Sequence, residues 1–344
     1  MTKPDLNLIV TIDVEEDNWG FDGSDSSIEN IRMVPRLQDL FDRYGIKPTY
    51  LVTYPVVSSS WAVDILSEIR SQNKCEIGTH LHPWNTPPLQ ETINEKNSML
   101  KNLQYELQLE KLRVLTDKVA SAFGTPPRSF RAGRWGLGPE TVKALVQCGY
   151  VTDTSVTPTI SWLQYGDGPE YPDTITEPYW LSADGKRNGD HGPILEVPAT
   201  IGFNRWPFEL YQKIYVHLQK NWLKLLHPAG LMHFTGALRK IWLSPELSSA
   251  DDMIMLSKIM IKNGMHFLNL SFHTTTLLPG KSPFVKNRQE LEQFFMKIEI
   301  LLEYLVSSAH VTSPTLSEVR SRMEIAAKDP ATSGEDLSPC EEIK

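Results

Sequence analysis

Leu6-Asn7-Leu8-Ile9-Val10-Thr11-Ile12-Asp13-Val14-Glu15-Glu16-Asp17 is a strand-like apolar run that ends in acids. A second stretch, Cys75-Glu76-Ile77-Gly78-Thr79-His80-Leu81-His82, repeats the design with imidazoles in place of carboxylates. Each places ligand-type side chains just beyond an apolar segment. Carboxylates and imidazoles gathered at strand ends suit a metal that polarises a carbonyl and acidifies water, with a free carboxylate to take the proton. The pair of stretches therefore points to hydrolytic chemistry at one end of a sheet.

Working outward, strand-like runs alternate with helical patterns along most of the chain. Strands are predicted at 6–13, 48–54, 75–81, 128–132, 150–156, 194–200, 231–235 and 266–273. Helices are predicted at 35–44, 61–72, 94–123, 139–148, 208–226, 251–263 and 289–306. Pro35 and Pro139 suit first-turn positions, and Gly45, Gly124, Gly149 and Gly264 suit helix exits. Strict alternation implies a parallel sheet with helices outside. About eight units, and no GxGxxG or GxxxxGK[ST] signature, favour a closed (β/α) barrel of seven or eight parallel strands over an open sheet. In such barrels catalytic side chains sit at the C-terminal strand ends. A single domain is expected over 1–323, with 324–344 a disordered polar tail and 162–192 a long loop over the barrel mouth.

Composition bounds the partners. The 344 residues are 40% hydrophobic and 22% charged, enough for a sizeable core. The formal charge of −8, with no dense Lys/Arg stretch, argues against nucleic-acid binding. No signal-like N-terminus or membrane-length apolar window is present, and Cys75, Cys148 and Cys340 lack metal or redox spacing. A cytoplasmic protein with reduced thiols is expected. The stretch 209–226, with Lys213, Lys220 and Lys224 beside Tyr, Leu and Trp, suits an ordinary amphipathic helix, with peripheral membrane contact the sharper alternative.

Individual residues carry both a chemical and a bland reading. Asp13 and Glu15, two apart in extended geometry, can face one side, so that one binds metal and the other acts as base; a solvated acidic turn is the bland account. His80 and His82 share that spacing at a strand end, which favours ligands over packed core histidines. Arg131, after the fourth strand, can orient a carboxylate and keep it ionised, whereas Arg134 also fits a Gly-rich turn. Asp153 could pair with either arginine or cap a local turn. His273, ending the last strand, suits a general acid. His266 falls at the opposite end, and His191, His217, His227, His233 and His310 are read as structural. Trp84, Trp135, Trp162, Trp180 and Tyr165 lie in loops expected at the mouth, where aromatic faces suit sugar rings.

Taken in order, these segments resemble the polysaccharide deacetylase family of carbohydrate esterases, over roughly residues 6–284. The resemblance implies a distorted (β/α) barrel. It implies Asp13 as base and Glu15 as metal ligand within Thr11-Ile12-Asp13-Val14-Glu15, His80 as metal ligand, Arg131 as the residue that positions the base, and a fourth motif around Asp153. His273, in Leu270-Ser271-Phe272-His273, is implied as general acid. The family's second metal histidine lies four residues after the first. That position is Trp84 here, and His82 is expected to substitute. Leu277-Leu278-Pro279-Gly280-Lys281-Ser282-Pro283 also looks like members tied to surface-polysaccharide biosynthesis.

The expectation is a divalent-metal-dependent hydrolase, Zn²⁺ suiting the nitrogen-rich site, that removes an acetyl or other acyl group from an N-acylated sugar in a glycan or its precursor. Trp84, Arg134, Trp135 and Asp153 are expected to contact that substrate. Two alternatives are a metal-independent amidohydrolase on the same fold, which Trp84 motivates, and a glycan-binding protein without activity.

Overall fold

Strand β1 (Asp5–Val14) is the axis of the molecule. Every residue from Leu8 to Val14 is buried, as befits a parallel strand covered on both faces. The computed structural model describes residues 3–21, 27–189, 191–219 and 237–328. The remaining strands are β2 (Thr49–Val52), β3 (Glu76–Leu81), β4 (Ser129–Ala132), β5 (Thr152–Asp153), β6 (Ile160–Ser161), β7 (Glu170–Tyr171) and β8 (Tyr179–Leu181). They continue with β9 (Arg187–Asn188), β10 (Ile194–Glu196), β11 (Ile201–Phe203), β12 (Lys240–Trp242), β13 (Phe267–His273) and β14 (His310–Thr312). The main sheet runs β13-β1-β2-β3-β4-β5-β10-β8-β9, with β14 also paired to β1. Pairing is parallel from β13 to β10 and antiparallel only at β10-β8 and β8-β9.

The sheet curls without closing. β10 and β13 are not paired; instead Thr200 and Leu243, flanking the antiparallel β11-β12 pair, bond to Asn269 and Ser271 of β13. This is the distorted barrel, with an antiparallel extension that strict alternation did not foresee.

Helices α1 (Val34–Arg43), α2 (Tyr54–Val57), α3 (Ser60–Ser71), α4 (Tyr105–Phe123), α5 (Pro139–Gln147), α6 (Phe208–Gln219), α7 (Ala250–Lys262), α8 (Arg288–Ser308) and α9 (Leu316–Lys328) complete the described elements. They bury an apolar stripe on the sheet, for example Leu112, Leu115 and Val119 of α4 and Ile298, Leu301 and Leu305 of α8. Full burial of one such side chain contributes about 1.5–3 kcal/mol, so these stripes, not local propensity, hold the helices. Ser249 and Asn287 cap α7 and α8 by accepting from Asp252 N and Glu290 N. No helix among the described residues is long and apolar enough to cross a membrane.

Several expectations shift. The predicted strand 231–235 and helix segment 220–226 lie outside the described residues. The helix predicted from residue 94 begins at Tyr105; Asn94 Oδ1 instead accepts from Asn97 N in a turn, an alternative to helix that Asn side chains favour. The loop 162–192 contains β7, β8 and β9, two of which extend the sheet. Helix α9 runs to Lys328 and so takes in the first five residues of the expected tail, 324–328; 329–344 lie outside the described residues.

Candidate active site

Register fixes the first two partners. Asp13 stands opposite His273 across β1 and β13, and His80 opposite Arg131 across β3 and β4, all at C-terminal strand ends. Gly78 lets these strands pack closely, since a Cβ there would lie 2.7 Å from both Leu51 Cδ2 and Ser129 O.

A polar network fills the barrel below. The buried Arg131 donates from Nη1 to Asp13 Oδ1 at 2.7 Å, from Nη2 to Thr11 Oγ1 at 2.5 Å and from Nε to Thr154 O at 3.0 Å. Thr11 and Asn269 bond to each other, and Asn269 donates on to Thr154 Oγ1. Thr11 and Asp13 thus share the inward face that period two predicts. Burial alone would raise the Asp13 carboxyl, but Arg131, with His80 and His273, outweighs it and holds the group below the usual carboxylate range.

On the open side of Asp13, three lone pairs converge. His80 Nδ1 lies 3.1 Å from Arg131 O, which can only accept, so the ring proton is on Nδ1 and Nε2 is bare. His82 Nδ1 faces Glu16 Oε1 at 3.1 Å, which assigns the same tautomer. The two Nε2 atoms stand 2.9 Å apart, with Glu15 Oε2 at 3.7 Å from His80 and 3.4 Å from His82. Three lone pairs this close need a cation among them: a proton shared between the rings, which Glu16 favours by raising His82, or a metal ion that displaces it. Edges of a tetrahedral site with bonds of about 2.1 Å are roughly 3.4 Å long, and the observed separations bracket that length. Glu15, His80 and His82 could therefore hold a metal ion. Burial takes His80 down to about 3, the neutral form a ligand needs.

Glu16 and Trp84 hold His82 in place. Glu16 accepts from Thr53 Oγ1 and Asn85 Nδ2 as well as His82, and Trp84 stacks on the His82 ring at 4.1 Å between centroids and 19° between planes. Trp84 thus backs the histidine that stands near its place. Gly133 clears the other side of His82: a Cβ would fall 2.4 Å from His82 Cδ2. Thr275 Oγ1 donates to Glu15 Oε1 at 3.0 Å.

His273 faces Asp13 from the opposite wall, Nε2 to Oδ2 at 3.5 Å. Its Nδ1 lies 2.9 Å from Glu246 Oε2, and Glu246 Oε1 accepts from His273 N and Thr276 Oγ1. Burial lowers the imidazole, but Glu246 and then Glu15 outweigh it and lift it to about 10. The ring is a cation with a proton to give.

The cavity over these groups measures about 360 Å³; Trp19, Phe21, Trp84, Trp135 and Trp162 give it an aromatic rim, and Arg134 also lines it. Arg134 and Trp135 adopt consecutive left-handed conformations (φ 54° and 60°), strain of the kind stored at functional sites. Trp135 lies under the Arg131 guanidinium at 4.9 Å.

Asp153 does not line this cavity. It is buried beside Glu196 and accepts from Ser155 N and Oγ, with its carboxyl raised by burial. Glu16, Glu246, Thr275 and Trp19 were not singled out as site residues in the sequence. Glu16 was legible only as part of a charge run, and Glu246 as an acid after an apolar segment.

No protein-family model matches the sequence, and no curated protein matches it. Solved structures do. One is a protein from Mycobacterium smegmatis assigned to the polysaccharide deacetylases: 13% identity, TM-score 0.50, 99% of this chain and 100% of that one. Another is the 4-alpha-glucanotransferase of Thermococcus litoralis: 14% identity, TM-score 0.50, 94% of this chain but 41% of that one. One fold thus carries two chemistries, and function must be argued from the site. What the alignments do show is architecture: this chain has a polysaccharide-deacetylase-type fold.

Proposed function

We propose that the chain is a metal-dependent amide hydrolase that removes an acyl group, acetyl in the simplest case, from an N-acylated sugar in a glycan or glycan precursor. The observation that carries this reading is the convergence of Glu15, His80 and His82 lone pairs beside a carboxylate base and a cationic imidazole. Zn²⁺ suits two imidazoles and one carboxylate, and when bound it would supply Lewis acidity to the amide carbonyl and to water.

The chain's own residues do the proton work. Asp13 Oδ1 is occupied by Arg131, which leaves Oδ2 to take a proton from the attacking water. His273 Nε2, 3.5 Å from Oδ2, is placed to protonate the departing nitrogen as the C–N bond breaks. The product pair is a carboxylic acid and a free amine. Glu246 keeps His273 charged for that step, and the aromatic rim supplies stacking faces for a sugar. Arg134, Trp84 and Trp135 are proposed to contact the substrate. Cys75 and Cys148 are free thiols, which supports a reducing compartment and hence a cytoplasmic precursor as substrate.

Elemental analysis of protein purified without chelators tests the reading. About one divalent ion per chain, with acetate release from N-acetyl sugars abolished by chelation and restored by Zn²⁺, is expected. Chelator-resistant turnover would replace it with a metal-free amidohydrolase.

A further inference from the structure

Beside the first cavity, across the Asp13–Arg131–His273 ridge, lies a second of about 180 Å³. Its far wall is Trp242, Leu247, Phe272 and Phe284, and Ser244 lies in its lining. Trp19 stands between the two, packed edge-on against His273 at 4.8 Å and Phe284 at 5.1 Å. Both cavities therefore reach the same base and acid. The larger adds Glu15, His80, His82 and Arg134, suited to a metal and a sugar; the smaller adds Ser244, Ser271 and Glu246 but exposes a predominantly apolar surface. The scissile amide joins a polar half to an apolar half, and two unlike cavities meeting at the base and acid match that division.

The volume is informative. An acetyl group puts one methyl beyond its carbonyl carbon, whereas an apolar cavity of about 150 Å³ admits benzene. Ser244 is 2% exposed, and its hydroxyl has no hydrogen-bond partner among the described residues, an arrangement that costs free energy until something pairs with it.

Resting on the hydrolase reading above, we propose that the acyl group seated in this second cavity is longer than acetyl, a chain of about three or four carbons bearing a hydroxyl that pairs with Ser244. Hydrolysis would then yield a short hydroxy acid and the free amino sugar, water adding OH to the carbonyl carbon and hydrogen to nitrogen.

Affinities of acetamide, butyramide and 3-hydroxybutyramide for the metal-loaded full chain, titrated by NMR, test the cavity without turnover. Each methylene buried is worth about fourfold, so butyramide, two methylenes longer, should bind about fifteenfold more tightly than acetamide. The hydroxylated amide should bind severalfold more tightly again. Ser244→Ala should erase the hydroxyl gain, and Ser244→Leu, which fills the cavity from a buried position, should collapse the butyramide-to-acetamide ratio. Equal affinities, or a ratio untouched by Ser244→Leu, would overturn the proposal. Hydrolysis of N-acetyl- and N-butyrylglucosamine separates the two readings. Acetyl turned over faster, with no affinity gain, removes this inference and keeps the hydrolase. No turnover of either, with the affinity ladder intact, removes the hydrolase and keeps the cavity.

Discussion

Among individual residues, Gly133 and Glu16 press on His82 from two directions, one by absence of a side chain and the other by a hydrogen bond. Glu16→Gln keeps the shape but removes the charge that fixes the His82 tautomer. Metal affinity should fall about 10–100-fold, read by competition with a chelating dye. Asp13→Asn should leave metal content intact and lower kcat about 10²–10⁴-fold, measured as acid release under saturating sugar. His273 must be protonated to act in this reading, and Glu246 holds it above its ordinary value, so activity should persist through neutral pH and fall only on the alkaline side. Glu246→Gln removes the strongest support for the imidazolium, and the basic limb of the pH–rate profile should move down by more than one unit. An unmoved limb would mean that another group sets it.

The grouping of Asp13, Glu15, His80, His82 and His273 was legible because each lies at or just past a strand end, where side-chain direction follows from period two. Glu246 was not, because it lies in a loop whose approach to His273 depends on tertiary packing alone. Asp153 was misplaced for a related reason: a two-residue strand carries too little pattern to show which carboxylate faces the mouth. Trp84 read as a missing ligand, and its ring stacks on His82, the histidine proposed to stand in.

Among elements, the segment after β3 matters most, since it carries His82, Trp84 and Asn85. Lys111 of α4 ties it down, its Nζ donating to Pro83 O, Thr86 O and Pro88 O and pairing with Glu91 at 2.9 Å. Lys111→Met strands three carbonyls and a buried carboxylate. A loss of about 3 kcal/mol or more is expected in urea unfolding, with weakened metal binding as a second sign. The main helices were foreseeable from apolar spacing and Pro or Gly punctuation. β14 and α9 were not, for β14 is a three-residue strand paired only to β1 and α9 is mostly polar.

For the molecule as a whole, the buried Asp153–Glu196 pair sets a stability trend with pH. Burial raises both carboxyls, and Glu196 lies well above its usual range. The folded state keeps protons that the unfolded chain has released. That contribution is complete below about pH 4, the unfolded value, and is lost as pH rises towards the folded one. Glu196→Gln, which keeps a hydrogen-bond donor and cannot ionise, should match the parent in acid and melt at higher temperature at pH 9. Parallel melting curves at both pH values would show that the pair does not govern alkaline stability.

The Asp13–His273 register joins the first strand to one formed 260 positions later. Synthesis at about 5–20 residues per second puts those partners on the ribosome roughly 13–50 seconds apart. Until β13 emerges, β1 has a free edge and the base has no acid. A nascent chain therefore keeps that edge of β1 open until β13 is made, and only then sets Asp13 and His273 side by side.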